Sequence, residues 1–286
     1  MRTFLHPAAC AAAAALLGAG PAGAQTLLHR YSMNGDARDS VGNAPGQVVG
    51  NVTFTTAPGV NGVATFPGGN SSGSPKPPSF LRLPASTVSG LQNATVEIFT
   101  TRFSGGAPYV GDSNGYYQAL FDVSNAYLDG KFQTNYVLLT VNRDPLNRAG
   151  SGLGIDARVS NGPDTTVAAG FPLPIKGGLV TLVFSGFTRP GGMGVETIYL
   201  DGALVARCGT AFSLAAVASA KGGDGPVGID TVGIGGGSPF KDPTFNGEVT
   251  EVRLWSGALS PAQVQAEYAA GPGVVAVASV APARVP

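Results

Sequence analysis

The chain is short of the residues that most often carry chemistry. Among 286 residues there are two cysteines, two histidines, three methionines and one tryptophan. Cys10 and His6 fall in the first 24 residues, which read as an export signal. Arg2 is the positive n-region, Ala8 to Leu17 the apolar core, and Ala22-Gly23-Ala24 a small-x-small cleavage site before Gln25. The apolar run is too short, and too interrupted by Gly18, Gly20 and Pro21, to span a bilayer. Cleavage leaves Cys208 as the single cysteine and His29 as the single histidine. An intrachain disulfide is then excluded in an oxidising destination, and zinc has only these two strong ligands, far apart in sequence. Charge is scarce and balanced at 17 residues of each sign, with no basic run longer than a dipeptide. Nucleic acid and anionic membranes are therefore poor partners.

Glycine and proline are plentiful, at 43 and 22 residues, beside a hydrophobic content of 43%. That combination suits many short apolar runs separated by turns rather than disorder. The expected organisation is a signal over 1–24, one all-β domain over 25–272, and a frayed, Pro-bearing tail over 273–286. Strands are expected at Thr26–Met33, Val48–Thr55, Val63–Phe66, Phe80–Leu83, Thr95–Phe103, Tyr117–Val123, Tyr136–Val141, Leu153–Val159, Leu179–Phe187 and Val227–Ile234. Asp201-Gly202 between Thr197–Leu200 and Ala203–Ala206 suits a two-residue type I′ hairpin.

The strongest local signal is Asn246–Gly271. Glu248 to Trp255 alternates as a strand packed on both faces, with Val249, Glu251, Arg253 and Trp255 on one side. Ser260 is then a helix N-cap with Pro261 at the first position, and Gln263 completes a Ser-x-x-Gln capping box. Val264 and Tyr268 fall on one helical face, and Gly271 can end the helix at positive φ. Glu251, Arg253 and Trp255 are expected to form a structural clasp that seals the fold.

Three stretches together resemble the laminin G-like, concanavalin A-like jelly-roll superfamily in its bacterial secreted form. They are Leu28–Gly42, with Gly35-Asp36 and Asp39-Ser40 inside it; the hairpin Ile198–Val205; and the closing Phe245–Val264. Phe80–Pro84 and Thr95–Ile98 sit at the family's spacing, so the resemblance spans nearly the whole of 25–272. It implies an all-β, two-sheet antiparallel jelly-roll sandwich whose first and last strands are neighbours, with one short C-terminal helix. Two departures stand out. Thr250 occupies a position where the family usually has an acid, and the frequent disulfide near the hairpin has no second cysteine.

Candidate sites follow. Gly69-Asn70-Ser71-Ser72-Gly73 has the letters of a nucleophile elbow, but a Pro-rich stretch follows where a helix is needed. Glycoside hydrolysis needs two carboxyls about 5–10 Å apart. Glu248 and Glu251, three apart on a strand, are expected on opposite faces. For calcium the candidates are Asp36 and Asp39, with Asp112, Asp122 and Asp242 as alternatives. The competing reading of Asp36 and Asp39 is a turn bonded to its own backbone.

The aromatic-rich middle is the best candidate ligand surface. Tyr109, Tyr116 and Tyr117 lie in or beside Gly/Asp/Asn/Ser-rich stretches and offer ring faces with polar tips. Phe121, Phe132 and Tyr136 are expected in the core instead. The sequence therefore points to an exported (extracellular, cell-surface or periplasmic) non-enzymatic recognition module for a polysaccharide, another glycan or an extracellular protein. A polysaccharide-active hydrolase or lyase, or an adhesive surface protein on the same fold, are the alternatives.

Overall fold

A computed structural model describes residues 25–57, 60–70, 78–103, 117–124, 136–142, 154–160, 165–169, 177–189, 192–210, 213–215, 231–236 and 243–277. The expected export signal, the end of the tail, Tyr109, Tyr116, Phe132, Asp112 and Asp242 lie outside these residues. The described chain forms β1 (Thr26–Tyr31), β2 (Gln47–Val49), β3 (Thr53–Ala57), β4 (Val60–Asn70) and β5 (Phe80–Leu83). Next come β6 (Ala94–Phe103), β7 (Tyr117–Ser124), β8 (Tyr136–Asn142), β9 (Gly154–Ser160) and β10 (Thr165–Ala169). The last strands are β11 (Gly178–Ser185), β12 (Gly194–Leu200), β13 (Ala203–Thr210), β14 (Thr231–Ile234) and β15 (Pro243–Ser256), followed by helix α1 (Pro261–Ala270). The expected strand over Val48–Thr55 is two strands, split at Gly50, which adopts a φ of 71°. β10 falls where no strand was expected.

The architecture is an all-β antiparallel sandwich. The hydrogen-bonded strands form one continuous sheet, in which the run β1–β15–β6–β11–β12–β13 and the run β2–β5–β14–β7–β8–β9–β10 are linked by a parallel bridge between Thr244 of β15 and Ala119 of β7, with β3 and β4 joined to the first half of β15. Val96, Ile98, Val180, Leu182, Phe184, Ile198, Val252 and Leu254 of the first run share one core with Leu81, Leu83, Phe121, Val123, Val137, Leu139, Val232 and Ile234 of the second. Among the described residues no helix is long and apolar enough to cross a membrane.

β15 is long because it serves both halves. Pro243 to Val249 pairs with Asn70 to Ala64 of β4, while Val252 to Ser256 pairs with β1 and Gly247 to Ser256 with β6. Its register against β6 slips between Glu248 and Val249 and again between Val249 and Glu251. An extra residue at a bulge reverses the side-chain parity beyond it. Val249 therefore joins Val252 and Leu254 in the main core, not Glu251 and Arg253. The same bulge overturns the expected opposition of Glu248 and Glu251, since each now precedes a core-facing residue and faces outward. Glu248 is met by Thr101 and Arg102, and Glu251 by Arg30 and Arg253.

The outer face of the first run is also covered. Leu27, Val183, Tyr199 and Trp255 pack with Leu259, Val264 and Val277 in a second, smaller core beneath α1. The helix begins as its sequence requires. Ser260 accepts from Gln263 N at 3.3 Å, and Gln263 Oε1 accepts from Ser260 N at 2.9 Å. The buried helical face is Val264 with Glu267, whereas Tyr268 is 41% exposed. Val264 and Tyr268 remain one turn apart, but the buried stripe is centred on Val264 and Glu267, where Glu267 meets Arg253. The β12–β13 hairpin turns at Asp201 and Gly202 with φ of 51° and 77°, the two positive values a type I′ turn needs. Asp201 Oδ1 also accepts from Leu179 N at 2.9 Å, which ties the turn to β11.

Trp255 is fully buried in the smaller core, and its indole N–H donates to Glu97 Oε2 at 2.8 Å. Trp255→Ala is expected to destabilise the domain by about 3–5 kcal/mol, the usual cost of deleting a large buried aromatic. The check is the urea midpoint at constant m-value; an unchanged midpoint would mean that Trp255 does not hold the helix to the sandwich.

Candidate functional site

Strand register brings several strand ends to one end of the sandwich. Pro243 opens β15 opposite Asn70, the last residue of β4. Thr244 lies beside Ala119 of β7, and Tyr117, which opens β7, pairs with Asn142 at the end of β8. Asn142 in turn pairs with Gly154, which opens β9. The strand ends that border segments 71–77, 104–116, 143–153 and 237–242 therefore all meet at this end. Tyr117 is placed there by β7, and Tyr109 and Tyr116 belong to the segment that β7 terminates. The side chains of these three tyrosines fall outside the described residues.

This end is built on a rigid base. Phe245 lies edge-on to Phe66 at 5.8 Å and to Phe103 at 5.9 Å, and all three rings are fully buried or nearly so. Gly235, at a φ of 79°, sits so close that a Cβ there would come within 2.5 Å of the Phe66 ring. Gln118 Oε1 accepts from Asn246 N at 2.7 Å, fastening β7 to β15 just behind the converging ends. A platform of this kind fixes where the segments start and stop, which is what a binding surface made of loops requires.

The ionisable side chains concentrate elsewhere, under α1. Arg253 is fully buried, its guanidinium 4.6 Å from the centre of the Phe99 ring. Its Nε donates to Glu251 Oε1 at 2.5 Å, and Nη1 donates to Glu267 Oε2. Nη2 donates to the carbonyls of Val274, at 2.8 Å, and Gly271, at 3.2 Å. Glu251 is held further by a two-pronged contact from Arg30 and by the Gly273 amide at 2.7 Å. Val277 N donates to Glu267 Oε1 at 2.6 Å. Residues 273–277, expected as the start of a frayed tail, instead satisfy this cluster, and Val277 is buried.

Glu251, Arg253 and Trp255 alternate on one strand and could be singled out by their type. Arg30, Glu97 and Glu267 were not, and each carried a faint signal. Glu97 is a lone acid inside an otherwise apolar and threonine-rich strand, and Glu267 lies one turn after Val264. Burial pushes the Glu251 carboxyl up, but the Arg30 and Arg253 guanidinium groups and the Gly273 N–H together hold it below the usual carboxylate range. Glu251 and Glu267 are occupied by guanidinium groups and backbone amides, an arrangement that locks structure.

Asp36 and Asp39 are engaged by their own turn. Asp39 Oδ1 accepts from the amides of Arg30, Val41 and Gly42, and Oδ2 from the Ala44 amide and the His29 ring at 2.6 Å. Burial raises the Asp39 carboxyl, but the His29 ring and the amides of Arg30, Gly42 and Val41 outweigh it and hold the group below its ordinary value. Asp36 caps the Arg38 amide and pairs with the Arg38 side chain at the surface. Among the described residues no three His, Cys, Asp or Glu side chains come together as a metal site needs. Asp122, an alternative candidate, is fully buried in β7.

No protein-family model matches the chain, and no curated protein matches it in sequence. Solved structures do match in fold. Domain 4 of AbnA, a GH43 extracellular arabinanase from Geobacillus stearothermophilus in complex with arabinotriose, is similar with a TM-score of 0.51 at 19% identity, over 85% of this chain and 98% of that one. The binding domain of botulinum neurotoxin serotype G gives a TM-score of 0.50 at 12% identity, over 85% of this chain and 50% of that one. A Trypanosoma rangeli sialidase mutant displaying trans-sialidase activity gives 0.50 at 15% identity, over 84% of this chain and 32% of that one. At these identities the likeness is one of fold, the β-sandwich.

The cluster and the surface pairs should respond differently to substitution. Arg253→Ala leaves Glu267 buried without its cation and Glu251 with Arg30 alone, and is expected to cost about 3–5 kcal/mol. Arg102→Ala removes the exposed pair with Glu248 and is expected to cost no more than about 1 kcal/mol. Equal midpoints for the two variants in urea unfolding would contradict the structural role of the cluster.

Proposed function

We propose that this chain is an exported, non-enzymatic recognition module of the laminin G-like group that binds carbohydrate chains through the end where β4, β7, β8, β9 and β15 converge. The observation that carries the reading is this convergence. Register sets Tyr117 at this end, beside a base formed by Phe66, Phe103 and Phe245, and Tyr109 and Tyr116 precede Tyr117 in the chain. Tyrosine is suited to sugar rings because it combines an apolar face with a hydrogen-bonding tip and loses little entropy when held. The fold adds support, since the similar arabinanase domain holds arabinotriose in its solved structure. Among the described residues, Glu251, Glu267 and Asp39 are bound to arginines, backbone amides or a histidine and serve the fold.

The test is binding of the chain to an array of arabinan, xylan, glucan and sialylated oligosaccharides, followed by calorimetry on the best ligand. The double variant Tyr116→Ala/Tyr117→Ala is expected to lose affinity by about tenfold or more, as for an aromatic hot spot, with the melting temperature unchanged. Absence of binding across the panel would count against recognition of carbohydrate. Release of reducing ends or of unsaturated products, lost on a single Asp or Glu substitution, would replace this reading by an enzymatic one.

A further inference from the structure

The cluster beneath α1 carries an imbalance of charge. Three carboxyl groups, Glu97, Glu251 and Glu267, face two guanidinium groups, Arg253 and Arg30. All of these side chains are fully buried except Arg30, at 23% exposure. If every group were ionised the site would enclose a net negative charge, which a buried environment strongly disfavours.

Bonding identifies the group that relieves it. Glu251 accepts four hydrogen bonds, and Glu267 accepts one on each oxygen. Glu97 accepts one, from the Trp255 indole, and its Oε1 is buried with no partner. Arg253 Nη1 stands 4.0 Å from Glu97 Oε2, already committed to Glu267. Directly across the ladder on β11, Thr181 is the register partner of Glu97, and its Oγ1 is likewise buried without a partner. A proton on Glu97 removes the surplus charge and supplies a donor where two acceptor-capable oxygens lie unpaired.

We propose that the clasp is a proton-operated latch, in which neutral Glu97 keeps residues 273–277 seated and ionised Glu97 draws Arg253 away from Glu267 and loosens them. The route is short. Glu267 orients the Val277 amide, and Arg253 orients the carbonyls of Gly271 and Val274, so a guanidinium shared with Glu97 weakens the whole strap. The groups facing Glu97 are Arg253, Glu251 and Trp255 from β15, Glu267 from α1, Arg30 from β1 by way of Glu251, and Thr181 from β11. Beyond Thr181 lies Tyr199 of β12, whose hydroxyl burial keeps above its ordinary range, the Arg207 charge opposing. It stays neutral throughout. Burial pushes the Glu97 carboxyl up to about 7, with Arg253 and the Trp255 bond opposing and Glu267 and Glu251 adding to the rise.

The direction follows from linkage. An acid whose folded value lies above its ordinary 4.5 binds a proton in the folded state that the unfolded state has released. Its contribution is complete below about 4.5 and is lost as pH rises through about 7. Glu251 and Asp39, both lowered, act with the opposite sign, losing their contribution as pH falls below the ordinary carboxylate range. The latch therefore opens on the neutral-to-alkaline side.

Amide hydrogen exchange of the full chain between pH 5.5 and 8.5 tests this. Gly273 and Val277 are compared with Gly257, whose amide is bonded to Asn93 O. After correction for intrinsic exchange, protection of Gly273 and Val277 is expected to fall through pH 7 by up to about tenfold per pH unit, with Gly257 unchanged. In Glu97→Gln, which keeps an acceptor for Trp255 and adds a donor, protection should be flat and at least that of the wild type at pH 8. Flat protection in the wild type, or weaker protection in Glu97→Gln at pH 8, would overturn the proposal. Should the variant fail to fold, the wild-type Glu97 carboxyl carbon followed by NMR decides. A midpoint near 7 supports the latch, and one at or below 4.5 removes it.

Discussion

The enclosed charge of Arg253 is the constraint on which the rest of this domain depends. A fully buried guanidinium is tolerable only when every donor is met, and its partners come from four separate places: Glu251 beside it, Glu267 on α1, and the carbonyls of Gly271 and Val274. Glu251 in turn recruits Arg30 from the first strand, 221 residues away in sequence. Such a cluster gains nothing from partial assembly, because each missing partner leaves an unpaired charge in an apolar setting. The two ends of the chain are thereby made interdependent. Contacts of this sequence separation also imply folding that is slow compared with a helical protein of equal size.

β15 converts that local seal into a global arrangement. Its bulge near Val249 and Thr250 lets one strand serve β4 and β7 at its start and β1 and β6 at its finish. The reversal of parity lets Val249, Val252 and Leu254 fill the main core while Glu251, Arg253 and Trp255 face the helix. Ten residues of strand, roughly 30 Å at the usual rise, separate Pro243 from Arg253. The polar cluster and the end where β4, β7, β8, β9 and β15 converge are thus distinct regions joined by one continuous strand.

Much of the fold was legible in the sequence because its signals are local. Alternation marks β6 and β11, Asp201-Gly202 marks the hairpin, and Ser260, Pro261 and Gln263 mark the start of α1. Errors fell where a distant partner overruled a local pattern. Tyr268 was assigned to the buried helical face by its spacing from Val264, but the buried stripe is centred on Val264 and Glu267, where Glu267 meets Arg253. Residues 273–277 have no periodicity, capping or turn chemistry, yet they are ordered by charges that only the folded sheet brings beneath them. Glu97 and Arg30 belong to the same cluster, but the partners that bring them into it lie far away in the sequence.

The sequence by itself determined the class, an all-β sandwich with one capped helix, and displayed an aromatic-rich middle. Those properties depend on side-chain chemistry and on periods of two or four residues, which a linear text displays. Tertiary structure alone decided the bulge that sets the faces of β15, the six-membered polar cluster under α1, and the meeting of four segment boundaries at one end. These depend on register between strands far apart in the chain. Register is chosen by the packing of the whole sandwich, since a slip of one residue would turn Arg253 into the core and Leu254 out of it.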